Sequence, residues 1–339
     1  MKGLIVNEDG SLRLADDLPV PEIGPYEALV KTECCMICNG TDLEIIKGDL
    51  PEASKFPLVL GHESAGRVVA TGNKVSAYRV GDRVIRSALP DSDKYYSAWG
   101  GFAEYGIVTD ASAMEKDGMI CKQGLTQQVV PDDISAEQAA LMITLKETAS
   151  AVERIGIGPD DQILIVGDGP VGLCFLSALR ISGIKNVAML GNRKTSLGVA
   201  SQIGAETYWN HDEKEKEKLE ERMAGRITVY IDTIGSGATI SQGMKYIAPD
   251  GKIAVYGLRT GDKLGLDMRG MRNFSLQFVQ WPLEEREMLV HDRIVQAIRD
   301  GSLNTDILIS HVLPIEEFRE GFDAIIEKRA LKVALKFAE

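Results

Sequence analysis

The segment Gly167-Asp168-Gly169-Pro170-Val171-Gly172 constrains this chain more than any other stretch of it. It follows the continuous apolar run Ile163 to Val166 and opens a helical pattern through Val171 to Ser182. In a G-x-G-x-x-G turn the first glycine permits a tight bend, the second lets a pyrophosphate approach the backbone, and the third lets helix and strand pack closely. The N-terminus of the helix adds partial positive charge at the same point. Glycine spacing alone is a weak signal; a preceding strand, a following helix and βαβ repetition make it a strong one. Repetition is present here, because strand-like and helix-like runs alternate through Val187 to Leu190, Ser196 to Ile203, Thr228 to Ile231, Thr239 to Tyr246 and Ile253 to Tyr256. The pattern predicts a doubly wound parallel sheet that binds a dinucleotide. Gly167, Gly169, Pro170, Val171 and Gly172 are its expected cofactor contacts.

About 20 residues beyond such a turn, a site for NAD(H) places an acid at the end of the second strand to accept the ribose 2′-hydroxyl. Here the chain reads Met189-Leu190-Gly191-Asn192-Arg193-Lys194, with no carboxylate. Gly191 removes repulsion against a 2′-phosphate, Asn192 offers an amide donor and Arg193 a planar cation. The expectation is NADP(H) in preference to NAD(H), with Asn192 and Arg193 in the site. A plainer reading leaves Arg193 and Lys194 in the solvated first turn of the next helix.

Up to about residue 130 the pattern differs. Short apolar runs, Ala28 to Lys31, Leu58 to Leu60, Ala65 to Ala70, Arg83 to Ile85 and Phe102 to Val108, are punctuated by turns, which predicts a β-rich, barrel-like domain. Ser135 and Gln138 form a capping-box pattern ahead of two helical stretches, Glu137 to Met142 and Thr148 to Ile155. Alternating Glu and Lys between Asp212 and Arg222 predict a solvated helix face. The tail carries an amphipathic helix, Met288 to Arg299, and a strand-like run, Leu331 to Phe337.

At 339 residues the chain exceeds what one core comfortably organises, and 44% hydrophobic against 26% charged residues is a globular balance able to fill two. A net charge of -12 argues against a nucleic-acid partner or an anionic membrane surface. The five cysteines are odd in number, and Cys34, Cys35 and Cys38 crowd together, so no disulfide framework is expected. With no signal-like start and no apolar stretch near 18 residues, the expectation is a soluble protein of the cytoplasm.

Cys38 is followed by Gly61-His62-Glu63. Thiolate, imidazole and carboxylate are the ligand types that a catalytic zinc uses while one position stays open. From Gly61 to Val75 the chain matches G-H-E-x-x-G-x(5)-G-x-x-V, and Val80-Gly81-Asp82-Arg83-Val84 follows. On these motifs the chain resembles, over nearly its whole length, the zinc-containing medium-chain dehydrogenase/reductase family of alcohol and polyol dehydrogenases. The resemblance implies a GroES-like β-rich catalytic domain over 1–155, a Rossmann domain over 156–285, and a return to the catalytic domain over 286–339. It also implies Cys38 and His62 as zinc ligands, Glu63 as a carboxylate that meets the metal directly or transiently, and a homodimer or homotetramer. Cys34 and Cys35 match no ligand position and are expected to be packed or free thiols.

The chain departs from the family pattern in three places. Between residues 86 and 120 there is no cysteine, so the family's structural zinc lobe is absent and one catalytic Zn2+ per chain is expected. The loop aspartate, Asp42, stands four residues after Cys38 where relatives have it three after. The extra residue shifts the hydroxyl of the family's proton relay onto Thr41, and Glu44 falls where many alcohol dehydrogenases have a relay histidine. The third protein ligand would fall near Ile143, which cannot ligate. Glu147, one helical turn further on, is the nearest carboxylate and the candidate ligand; otherwise water or Glu63 completes the metal.

The implied reaction is hydride transfer between the nicotinamide and a small alcohol, polyol or sugar or its carbonyl, with zinc as Lewis acid and Thr41 handing the proton toward solvent. Two other readings compete: a zinc-free quinone or activated-alkene reductase of the same fold, and a non-catalytic nucleotide-binding protein. Trp99, Tyr95, Tyr96 and Trp281 are aromatic candidates for a pocket lining, with no substrate contact assigned.

Overall fold

The computed structural model describes residues 1–51, 53–257, 259, 262–265 and 273–338. The chain divides into two units, Met1–Lys146 with Glu284–Glu339, and Glu147–Leu283. The boundary lies inside one helix, Ala136–Ile155. The sequence pattern predicts two helical stretches there. They are one because Ile143-Thr144-Leu145-Lys146-Glu147 contains neither glycine nor proline to break the run. The start is a reciprocal capping box: the Gln138 N–H donates to Ser135 Oγ at 3.2 Å and the Ser135 N–H to Gln138 Oε1 at 3.0 Å.

In the first unit the described strands form two sheets. The smaller runs Leu12–Ala15, Gly3–Val6, Leu58–Val59, Tyr96–Ser97 from edge to edge. The larger runs Ile309–Pro314, Lys332–Lys336, Glu27–Met36, Glu63–Thr71, Arg83–Ile85, Val129–Val130, and Tyr105–Thr109 pairs with Glu27–Met36 beside it. Glu27–Met36 alternates between buried and half-buried residues until Cys34, then is buried continuously through Met36. Cys34 and Cys35 are therefore packed thiols, and burial raises both well above the ordinary thiol range. The same strand ties together distant parts of the chain. Met36 faces Glu63 on one side and Ala334 on the other, so the C-terminal tail returns to the edge of the Cys38 and His62 motifs.

In the second unit six strands run parallel in the order Glu206–Trp209, Val187–Gly191, Ile163–Val166, Ile227–Asp232, Ile247–Val255, Phe274–Phe278. The first strand in sequence is thus central and the chain winds outward both ways, which is the doubly wound order. Ile163–Val166 is buried at every residue. Burial on both faces accounts for its unalternating apolar run. The Glu- and Lys-rich stretch forms the helix Glu213–Met223, in which Leu219 is the buried residue; Asp212 caps it by accepting from the Lys214 and Glu215 amides at 3.0 and 3.3 Å. No described helix is long and apolar enough to cross a membrane.

Candidate metal centre and nucleotide turn

Strand pairing creates the candidate metal-donor cluster. Cys38 lies just beyond Met36 at the end of one strand, and His62 just before Glu63 at the start of its antiparallel neighbour. Cys38 Sγ, a ring nitrogen of His62 and a carboxylate oxygen of Glu63 lie within 4.8 Å of one another. Among the described residues this is the one group of three such donors. Its surroundings are anionic. Burial works to lower the His62 imidazole, but Cys38, Asp42 and Glu63 outweigh it and raise it to about 9. Among the described residues, His62 Nδ1 is buried without a hydrogen-bond partner. A pocket that holds a proton this firmly favours a cation in its place. Sulfur, nitrogen and oxygen donors at this spacing suit zinc, whose bonds to them are about 2.0–2.3 Å.

Glu63 is held by a buried lysine. Lys332 Nζ donates to both carboxylate oxygens at 2.6 Å each, with both side chains buried, while Glu63 Oε1 lies 3.8 Å from His62 Nε2. A buried carboxylate without such a partner is costly, so Lys332 is what keeps an anion at the cluster. Sequence reasoning missed Lys332. A signal existed, a lysine opening the otherwise apolar run Val333-Ala334-Leu335, but nothing local pairs it with a glutamate 269 positions away.

The lengthened loop after Cys38 still returns its aspartate to the metal cluster. The Cys38 N–H donates to Asp42 Oδ2 at 2.9 Å. Asp42 is fully buried in the first turn of the helix Thr41–Lys47, and burial raises its carboxyl to about 6 although His62 and the Cys38 amide pull it down. Thr41 opens that helix and is half-buried. Glu44 pairs with Lys47 at 2.9 Å, one turn along. Trp99 stacks at a tilt beside His62, ring centroids 5.2 Å apart, whereas Tyr95 is buried and donates its hydroxyl to Asp17 at 2.5 Å. Glu147 belongs to the second unit, where its carboxylate accepts from the Tyr256 hydroxyl at 3.2 Å.

The glycine turn has the geometry its spacing predicts. Gly167 stands at φ 107, and a Cβ on Gly172 would fall 2.0 Å from the Gly167 carbonyl oxygen, so neither position tolerates a side chain. Gly169 precedes the helix Pro170–Ile181, and among the described residues no side chain caps it, which leaves the Val171 and Gly172 amides at its start for a ligand. Among the described residues a Cβ on Gly169 would meet only the Arg193 guanidinium, at 3.8 Å, which leaves a cradle suited to a pyrophosphate. The strand end holds a feature absent from the sequence pattern. Asp168, the residue between the first two glycines, places its carboxylate against Gly191: Oδ2 accepts from the Asn192 and Arg193 amides at 3.1 and 2.6 Å. Arg193 donates from Nη2 to the Asp168 carbonyl at 2.7 Å, and its Nε lies 3.5 Å from Asp168 Oδ1. Residues 189–194 carry no acid, as the sequence reads, but the glycine turn brings the Asp168 carboxylate to this strand end. Asn192 is engaged as well, its Oδ1 accepting from Asn210 at 3.1 Å and its carbonyl from the Trp209 indole at 3.3 Å.

Comparison with known proteins agrees with this architecture. Residues 24–118 match the model of the alcohol dehydrogenase GroES-like domain, and residues 170–289 that of the zinc-binding dehydrogenase. D-arabinitol dehydrogenase 1 of Uromyces fabae is 26% identical, with 94% of this chain and 92% of that protein aligned. Sorbitol dehydrogenase of Ovis aries is also 26% identical, over 98% of this chain and 95% of that protein. The crystal structure of galactitol-1-phosphate dehydrogenase from Escherichia coli superposes with a TM-score of 0.77 at 22% identity, over 99% of this chain and 100% of that one. A GroES-like β-rich domain and a Rossmann-type parallel sheet make up the architecture of this chain. The chain belongs to the zinc-containing medium-chain dehydrogenase/reductase family.

Proposed function

We propose that this protein is a zinc-dependent oxidoreductase that moves a hydride between NADP(H), in preference to NAD(H), and a small alcohol, polyol or sugar or the corresponding carbonyl compound. The observation that carries the reading is the approach of Cys38, His62 and Glu63 to within 4.8 Å in an anionic pocket. The arabinitol and sorbitol dehydrogenases among its relatives support a CH–OH group as the reacting centre. When bound, zinc supplies Lewis-acid polarisation of the substrate oxygen and the nicotinamide supplies or takes the hydride.

The chain's own residues then have defined tasks. Cys38 and His62 hold the metal, and Glu63, restrained by Lys332, offers a carboxylate at its side. Asp42 fixes the Cys38 loop through the amide it accepts from. Thr41 passes the substrate proton toward solvent, and Glu44, one turn along the same helix, is an acid able to receive it. Gly167, Gly169, Pro170, Val171 and Gly172 let a pyrophosphate approach the backbone, and Arg193 with Asn192 supports a 2′-phosphate.

The test is a screen of purified, zinc-replete protein against polyols, secondary alcohols and their ketones with NADPH/NADP+ and NADH/NAD+. Turnover with an alcohol–ketone pair, faster with the phosphorylated cofactor, is expected. Reduction of quinones or activated alkenes by metal-free protein, with no alcohol oxidised, would replace the proposal by the zinc-free reductase reading. Glu147 is tested through metal affinity: Glu147→Gln is expected to weaken zinc binding about 10-fold, by analogy with losses at supporting residues, and wild-type affinity would remove it from the ligand set.

A further inference from the structure

Rossmann sites distinguish the two nicotinamide cofactors at the end of the second strand, where an acid accepts the 2′-hydroxyl or a cation meets the 2′-phosphate. In this chain both groups stand there, and they hold each other. A Cβ built on Gly191 would lie 2.6 Å from Asp168 Cβ and 2.8 Å from both its Cγ and Oδ2. Asp168 thus fills the space that an acidic side chain at position 191 would occupy. Its Oδ2 is pinned by the two backbone amides of Asn192 and Arg193, so the carboxylate is fixed rather than swinging in solvent. Oδ1 has the longer contact, 3.5 Å to Arg193 Nε, and retains acceptor capacity for a hydroxyl. Arg193 in turn borders the cradle over Gly169.

We propose that Asp168 is a specificity-determining residue for the nicotinamide cofactor: it stands in for the strand-end acid, accepts the ribose 2′-hydroxyl of NAD(H), and restrains the use of NADP(H) by holding Arg193 and facing the 2′-phosphate. The inference rests on the nicotinamide reading above and deepens it. A phosphate dianion has no proton to give the carboxylate and is repelled by it, while the same carboxylate shares the cation the phosphate needs. Arg193 therefore makes NADP(H) usable and Asp168 keeps NAD(H) usable. A consequence concerns Gly191. Placing Asp there alone would drive its Cβ into Asp168, so moving the acid to the strand requires shortening Asp168 at the same time.

The experiment titrates full-length protein with NADPH, NADH, 2′,5′-ADP and 5′-AMP by calorimetry, which reads binding without turnover. Asp168→Asn keeps the size and an acceptor for the two amides but removes the charge; Asp168→Ser shortens the side chain. In both, the preference for NADPH over NADH and for 2′,5′-ADP over 5′-AMP is expected to rise about 10-fold or more, the worth of one charge-assisted interaction. Asp168→Ser combined with Gly191→Asp is expected to bring the preference back toward wild type. A preference within about two-fold of wild type in Asp168→Asn protein that melts like wild type overturns the inference. Wild type that favours NADH defeats only the stated NADP(H) preference, since the variant ratio still decides the role of Asp168. Wild type that binds none of the four ligands defeats the nicotinamide reading and this inference with it.

Discussion

Around Cys38 and His62 the chain assembles charge from three strand ends, whereas around Gly167 to Gly172 it removes side chains so that the backbone can meet a ligand. The first region is costly to bury and is held by compensation: Glu63 is balanced by Lys332, and His62 by Cys38, Asp42 and Glu63. The second is limited by space, with a Cβ at Gly172 excluded by the Gly167 carbonyl. Charge enters it through Asp168 and Arg193. A compensated pocket fails when one charge is removed, while a sterically defined turn is tuned by charges at its edge. That contrast predicts large effects in the first region and selective ones in the second.

The largest expected effect is in the donor set. Cys38→Ser should lower kcat by about 1,000-fold or more, because a catalytic metal supplies several kcal/mol of charge stabilisation. Melting should change little, since a catalytic zinc does not nucleate a fold of this size; kcat close to wild type would remove Cys38 from the site. Next comes the buried counter-charge. Lys332→Met leaves Glu63 buried without its partner and should cost about 3–5 kcal/mol in denaturant unfolding of metal-free protein. Adding Glu63→Gln should recover most of that loss, and a Lys332→Met variant as stable as wild type would show that the pair carries no compensation.

In the nucleotide region the effects should be smaller and cofactor-selective. Arg193→Ala is expected to weaken NADP(H) binding about 10- to 150-fold, equivalent to one charge-assisted hydrogen bond, and to leave NAD(H) nearly unchanged. Equal weakening of both cofactors would make Arg193 a structural residue of the turn.

The smallest effect concerns pH in the first unit. Burial, with help from the charge on Lys146, lowers the His291 imidazole from 6.5 to about 4; its Nε2 lies 3.0 Å from the Val129 carbonyl oxygen. The unfolded chain takes up a proton below its ordinary value and the folded chain does not until about 4. Stability from this residue is therefore fully present above pH 6.5 and is lost as pH falls toward 4, by about 1 kcal/mol at pH 5.5. His291→Gln should flatten the decline of melting temperature across that window; an unchanged slope would contradict the assignment.

What was legible in the sequence follows the same contrast. Glycine spacing exposes the nucleotide turn because the steric demand is local, and Gly61-His62-Glu63 exposes the metal motif because its residues are adjacent. Ion pairs closed by the fold left at most half a trace: Lys332 opens an apolar run, but its partner Glu63 is reached through the pairing of the tail strand with Glu27–Met36. Asp168 was hidden differently. It lies inside the motif, at a position whose identity the glycine pattern leaves open, and only the packing against Gly191 reveals its place. Among strands, Glu206–Trp209, Phe274–Phe278 and Ile309–Pro314 escaped notice. Each stands at the edge of its sheet among the described strands and few of its residues are buried, so the apolar run that marks Ile163–Val166 is missing.

Zinc stoichiometry tests the central claim most directly. Elemental analysis of wild type and Cys38→Ser, both expressed with ample metal and both shown to be folded, is predicted to give one zinc per chain in the first and a marked loss in the second. Wild type without zinc, or a variant that keeps it in full, would contradict the assignment of Cys38, His62 and Glu63 as a metal centre.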